Sequence, residues 1–339
     1  MTRTTVDQPE DSAIREVEHL VEQVEDQPMT VIEPRPGWKA LDLRELWPYR
    51  ELIFFLAWRD IKVRYKQTVL GASWAILQPL ALMVVFSAVL GREHAASPSI
   101  FPYPVFLYSG LLIWLFFSQA ITAAGNSVLI SRDMVTKVYF PRLTIPIASV
   151  GPAAIDFLIA MVLLIVMMAY YGIAPGESIV MLPILLLLAM MAALGVGAIL
   201  AALNVAYRDF RYTLPFLVQI WMLATPSIYK DIYTVAEVEP APNVAVADAG
   251  DGDTVVANRD AEAATEEEVP AAPPVRARSV SDWLELNPMT GLVGSFRAAV
   301  LGGPIPWSSL AYSATVIVVV FVTGCYYFRR SESSFADVI

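Results

Sequence analysis

The amino-acid sequence predicts an all-α integral membrane protein with six transmembrane helices, and three observations carry that prediction. Hydrophobic residues make up 56% of the 339 and charged residues 17%, with a mean hydropathy of +0.55, more apolar surface than a water-soluble domain can hide. The apolar residues are gathered into runs of about 20, enough at about 1.5 Å rise per residue to cross a hydrocarbon core of roughly 30 Å. The basic residues collect at alternate ends of those runs.

Six runs meet the length criterion: residues 69–90, 104–125, 143–171, 179–207, 214–229 and 307–328. The third is long enough to tilt and the fifth is short. Backbone amides in lipid find no water to bond, so each run is expected to be helical. Lys and Arg resist translocation, and their distribution orients the chain. With both termini cytoplasmic, the inner flanks hold twelve bases: Arg50, Arg59, Lys62, Arg64, Lys66, Arg132, Lys137, Arg142, Arg208, Arg211, Arg329 and Arg330. The outer flanks hold three, Arg92, Lys230 and Arg297, an imbalance that rejects the reverse topology. The first forty residues lack the basic-then-apolar pattern of a cleaved signal, so the first run is expected to act as an uncleaved insertion signal. Cys325 is the one cysteine, which rules out an internal disulfide. No internal repeat is visible, against an inverted-repeat transporter.

The net charge of −10 belongs to two segments: residues 1–37 sum to −6 and residues 235–280 to −7, leaving +3 for the rest. Both are acidic, Pro-containing and short of apolar periodicity, so both are expected to be disordered, the second on the extracytoplasmic side.

Residues 41–66 precede the first run. On a helix starting after Pro48, Phe54, Trp58, Ile61 and Tyr65 share one sector and Arg59, Lys62 and Lys66 the next. Such a helix suits the headgroup plane, as a plain positive-inside anchor or as the frame of an entrance for an anionic lipid headgroup lined by Trp58, Arg59, Lys62 and Lys66. Residues 126–141 read as a short polar cytoplasmic helix ended by Pro141. It is either a solvated reversal between spans or a docking element for a soluble partner, offering Arg132, Asp133, Met134 and Lys137. Residues 283–306, broken by Pro288, Gly291 and Gly302-Gly303-Pro304, are too short to cross and too apolar for a loop. A re-entrant helix pair dipping from outside is expected, with a surface-lying helix as the alternative.

Within the spans, Asp156 is the only charge of the third run. It is either a proton carrier or an interhelical hydrogen-bonding group with neighbours such as Gln78, Gln119, Asn204 or Gln219. Trp74, Gln78, Gln219, Trp221 and Tyr229 are aromatic and amide groups able to stack on and bond sugar rings, or else ordinary core and lipid-facing residues. His19 and His94 have no second ligand at metal spacing, so no metal site is expected, and no catalytic motif proposes an enzyme. No Gly-Lys dipeptide occurs, so the phosphate-cradling P-loop is absent. Transport driven by ATP would need its motor, with its ATP and magnesium, in another subunit, and no cofactor is expected in this chain.

Five stretches then carry a resemblance: RDIKVRYKQTVLGASWAILQP (59–79), KVYFPRLTIPIASVGPAAIDF (137–157), LNVAYRDFRYTLPFLVQIWMLATPSIY (203–229), LNPMTGLVGSFR (286–297) and FRRSESSFADVI (328–339). In order and spacing they resemble the ABC-2 type transporter permeases that export polysaccharides or polyol-phosphate polymers, among them O-antigen, teichoic acid and galactan exporters. The resemblance implies a homodimer working with two copies of an ABC ATPase. It makes residues 126–141 the coupling helix, with Arg132 to Lys137 transmitting ATPase motion. It puts the lipid-substrate entrance at the interfacial helix and the pore near the first and fifth spans. It implies an undecaprenyl- or decaprenyl-pyrophosphate-linked glycan as substrate, and no nucleic acid. Residues 1–37 and 235–280 depart from the family's pattern. Three rivals remain: a proton-coupled secondary transporter using Asp156, an ABC exporter of simple lipids or drugs, and a glycan-modifying enzyme.

Overall fold

The structure, a computed structural model, describes residues 46–66, 71–95, 101–207, 209–225, 228, 286–332 and 335. The segments expected to be disordered, residues 41–45 of the interfacial helix, and Tyr229 lie outside the described residues. Among the described residues every element is helical.

Helix α1 (Arg50–Lys66) follows a single 3-10 turn at Trp47–Tyr49, where Pro48 sets φ for the first turn and lacks only a donor that turn cannot use. Helix α2 (Ser73–Ala95) carries Pro79 inside it. Helix α3 (Tyr103–Ile130) stops at Ser131, whose φ of −99° and ψ of 24° break the helical path before α4 (Arg132–Lys137). Helices α5 (Thr144–Ser149) and α6 (Gly151–Tyr170) form one span with a joint at Val150, because Pro152 cannot donate to the turn before it. A 3-10 turn at Glu177–Met181 leads into α7 (Leu182–Ala206), followed by α8 (Phe210–Leu223). Helix α9 (Pro288–Leu301) and helix α10 (Trp307–Ser331) complete the bundle.

Among the described residues, four helical stretches are long and apolar enough to cross a bilayer: Tyr103–Ile130, Thr144–Tyr170, Glu177–Ala206 and Trp307–Ser331. They coincide with the second, third, fourth and sixth expected runs. The first is apolar only over Ser73–Val89, roughly 25 Å of helix, and the fifth, α8, has 14 residues. Helix α3 is the hub: protein buries 78% of its most apolar window, against 28% for each of the other three. It packs on α2, α5, α6, α7, α8 and α9.

Close approach replaces bulk where α7 crosses its neighbours. A β-carbon on Gly197 would lie 2.5 Å from Ala124 Cβ of α3, and one on Gly195 would lie 2.7 Å from Phe321 Cα of α10. In lipid, where the hydrophobic effect gives helices no reason to associate, such contacts supply the attraction. Asn204 adds a polar tie, its side-chain amide donating to the Gly125 carbonyl (2.7 Å) and to Asn126 Oδ1 (3.3 Å).

Two expectations are corrected. Residues 126–141 are not one helix: 126–130 prolong α3, and only Arg132–Lys137 forms the separate element. Asn126 and Ser127 look like an exit from the membrane, yet their side chains bond back to the Thr122 and Ala124 carbonyls of their own helix, so α3 continues through them. The re-entrant pair is a single helix among the described residues of 283–306. Asn287 caps it by accepting from Met289 N–H, Gly302 ends it at φ +78°, and Met289 through Leu301 are all buried. Gly291 does not break it; the Ser309 carbonyl and Ser313 hydroxyl of α10 occupy the place its side chain would need.

Candidate functional site

Helix α1 sets one half of the site. Leu56 is buried, Tyr49 and Leu52 pack on the cluster around Val128 and Phe328, and Ala57 lies against Gly151, whose β-carbon would sit 2.9 Å from Ala57 Cβ. About two turns on, the Arg64 guanidinium and the Tyr65 hydroxyl both donate to the Asp156 carboxylate of α6. From Gly151 to Asp156 is roughly 7.5 Å along the span. The C-terminal end of α1 is thus held against the third span. Asp156 bonds neither Asn204 nor another intramembrane amide, but a cation brought from outside its span, with Gln119 accepting from the same guanidinium at 3.5 Å. Burial, then the hydrogen bond to Asp156 and its charge, push the Tyr65 phenol well above its ordinary 10.0, so it stays a donor.

The outward sector of α1 holds Phe54 and Trp58, stacked at 6.4 Å and both exposed, with Lys62 Nζ 5.3 Å from the Trp58 ring. Ile61 and Tyr65, assigned to that sector by periodicity, are half-buried instead, because the row through Leu52, Leu56 and Ala57 packs and turns them to the boundary. Lys66 is exposed. Arg59 turns sideways, paired with Asp60 at 3.0 Å and reaching Met134 Sδ of α4 at 3.6 Å. One predicted headgroup residue thus touches one predicted coupling residue.

Helix α4 is the other half. Val135 is buried in a cluster with Val128, Phe140, Phe328 and Phe335, which roots the helix. Arg132, Asp133 and Lys137 are exposed and Met134 half-buried. The Asp133–Lys137 pair at 3.9 Å is solvated and contributes at most about 0.5 kcal/mol. Beside these charges stand Ile130, Val138 and Tyr139, the last 81% exposed. Ile130, Val138 and Tyr139 thus form an uncovered apolar strip on either side of a short charged helix, at the end of the most buried span.

The other sequence candidates scatter. Trp74 and Gln78 are exposed one turn apart on α2, and Gln219 is exposed on α8; both helices pack against α3. Trp221 is half-buried: its indole N–H donates to Asn287 Oδ1 (3.0 Å), and its ring stands edge-on to Trp114 and Phe117 at 6.4 and 5.2 Å. Asn287 also donates to the Ala224 carbonyl (3.1 Å) and Thr225 Oγ1 (2.8 Å), so this knot ties the end of α8 to the start of α9.

Sequence reasoning missed Arg297, counted as an outer-flank charge. It is 3% exposed on α9, with its guanidinium 3.5 Å from the Phe106 ring centroid. Its Nε donates to the Phe106 carbonyl (3.2 Å) and Nη2 to the Ile228 carbonyl (3.4 Å), in space that Gly110 leaves open. Its being the one charge in residues 288–301 was the available signal. Arg297→Met is expected to lower the melting temperature of the detergent-solubilised protein, at about 1–3 kcal/mol for each carbonyl left bare. The Phe106 carbonyl keeps Ser109 Oγ at 2.8 Å, so the loss falls mainly at Ile228. Arg297→Lys should lose most of the same stability, lacking the planar fork that serves two acceptors. Unchanged melting in both would show the arginine to be dispensable to packing.

Compared with known proteins, residues 51–231 match the family model for the ABC-2 type transporter. The chain is 33% identical over 187 residues to the O-antigen export system permease protein RfbA of Myxococcus xanthus, a match covering 55% of this chain and 71% of that relative. It is 27% identical over 180 residues to the O-antigen export system permease protein RfbA of Klebsiella pneumoniae, covering 53% of this chain and 69% of that one. The matched stretch takes in both halves of the site, the contact of α1 with α6 and the rooted helix α4. This integral membrane chain belongs to the ABC-2 type transporter family, as a permease similar to those for O-antigen export.

Proposed function

We propose that the chain is the membrane-spanning half of an exporter that moves a lipid-linked polysaccharide, O-antigen, galactan or a teichoic-acid-like polymer, outward across the inner or plasma membrane. In this reading two copies of the permease pair with two copies of an ABC ATPase that holds the ATP and magnesium. Both termini are cytoplasmic, and α2 and α8 complete six spans. The observation that carries the reading is α4, where Val135 anchors a short helix whose other faces present Arg132, Asp133 and Lys137, with Val138 and Tyr139 exposed just past its end. A soluble motor that grips this handle pulls directly on the hub of the bundle.

The substrate is an undecaprenyl- or decaprenyl-pyrophosphate-linked glycan. Trp58 sits at headgroup level as an amphipathic ring, and Lys62 and Lys66 offer charge to the pyrophosphate beside it. Trp74, Gln78, Gln219, Trp221 and Tyr229 mark the side of the chain along which the sugars pass. Trp221 contributes by fixing the α8–α9 junction.

Arg132→Glu combined with Lys137→Glu is expected to cut co-purification of the ATPase by on the order of tenfold or more, because reversed charges face whatever acids receive the handle. Undiminished co-purification rejects α4 as the dock. Vesicles holding the permease alone are expected to leave a pyrophosphate-linked glycan in its original leaflet. Movement without an ATPase overturns the whole reading.

A further inference from the structure

The end of the chain reads from sequence as a plain cytoplasmic tail, yet its described residues are packed. Phe335 is 1% exposed, its ring edge-on to Phe328 at 5.2 Å. The Glu332 carboxylate accepts the backbone N–H of Arg142 at 3.0 Å, and the Arg142 guanidinium donates to the Glu332 carbonyl. Arg142 lies just beyond α4, past the buried Phe140, and Phe140 shares one apolar cluster with Val135, Phe328 and Phe335.

A six-residue helix has almost no stability of its own, so what it transmits depends on how both its ends are held. Its N-terminal end is joined to α3 at Ser131, whose N–H bonds the Ser127 carbonyl and whose carbonyl accepts from Val135 N–H. Its C-terminal end runs into Val138, which is extended, and Tyr139; both are exposed and outside any helix, so they can absorb a displacement without passing it on. The first firm attachment after them is Phe140 with Arg142, and what holds that attachment is the segment following α10. We infer that Glu332 and Phe335 are positioning residues that back the coupling segment: they tie the exit of α4 to α10, so that a push on α4 moves α10 and its close partner α7. The inference rests on the reading of α4 as the ATPase dock and adds a second route, besides α3, by which the stroke enters the membrane.

The test uses the complete permease–ATPase complex, comparing hydrogen–deuterium exchange with and without ATP and Mg2+. In the unaltered complex, nucleotide is expected to change exchange in α4, α7 and α10. Glu332→Ala and Phe335→Ala should keep the ATPase bound and keep the change in α4, while the change in α10 falls roughly fivefold, the weight of one lost hydrogen bond or ring contact. Glu332→Gln retains the acceptor for Arg142 N–H and should behave as the unaltered complex. Phe335→Leu, still apolar, separates a packing collapse from a loss of coupling and should keep at least half the response. An undiminished α10 response in both alanine variants overturns the inference, as does loss of the ATPase from either. If nucleotide leaves α4 itself unchanged in the unaltered complex, the dock is elsewhere, and the reading and the inference fall together.

Discussion

Gly324→Leu is expected to leave no monodisperse permease after detergent extraction, and Gly324→Ala to leave a destabilised one. Gly324 of α10 rests on the Gly195 carbonyl of α7, and Gly195 faces the backbone of Phe321, with Cα at 2.7 Å and N at 2.8 Å from where its own β-carbon would stand. The walls on both sides are backbone, so no rotamer change makes room. One methyl costs about 1–3 kcal/mol as overpacking. A leucine must force the helices apart and forfeit the close contact that holds them together in lipid. Gly303→Ala is the control, since its β-carbon would meet Ala298 Cα at an ordinary 3.7 Å. Size-exclusion profiles of fluorescently tagged protein read the outcome, and a wild-type profile for Gly324→Leu would refute the close crossing.

What was legible in the sequence follows what a one-dimensional pattern encodes. The runs at 104–125, 143–171, 179–207 and 307–328 are helices of spanning length, because length and apolarity belong to the run itself. Their ends were less legible. Asn126 and Ser127 count as polar on any scale, but a side chain that bonds its own preceding turn is not asking for water. Contacts between elements were not legible at all. Arg64 and Asp156 are 92 positions apart, Arg142 and Glu332 190 apart, and no periodicity links residues in different helices. Helix α4 was found as polar and patterned, whereas its root in Phe328 and Phe335 needed the fold. Trp221 shows the converse: an aromatic in a candidate pore-lining run was read by residue type, and the structure fixes its indole on Asn287.

Arg64→Glu is expected to abolish surface polymer in cells relying on the variant, and Arg64→Glu with Asp156→Arg to restore a substantial part of it. The single change sets two carboxylates face to face at hydrogen-bonding range beside an apolar cleft lined by Leu112, Phe116 and Phe157. Breaking a fully buried pair costs about 3–5 kcal/mol; water at Arg64 screens this partly exposed pair to a smaller loss, and like charges add repulsion to it. Arg64 retains 38% exposure, which moderates the loss from Arg64→Ala, while Asp156 at 13% has less water to fall back on. The consequence is mechanical: unpinned at Asp156, α1 keeps its packing from Leu52 to Ala57 and the reach of Arg59 to Met134, and the entrance framed by Trp58 and Lys62 loses its fixed distance from the third span. Asp156→Asn separates this pin from a proton carrier. Tyr65 and Arg64 donate to different oxygens of the carboxylate, so the one amide oxygen keeps one of the two bonds and a pin survives at reduced strength; a carrier loses its titratable proton and export stops. Export near the unaltered level in Asp156→Asn, with loss in Asp156→Leu, is the expected pair of results. Abolition in both would make the carboxylic proton itself indispensable and return the proton-coupled mechanism to first place.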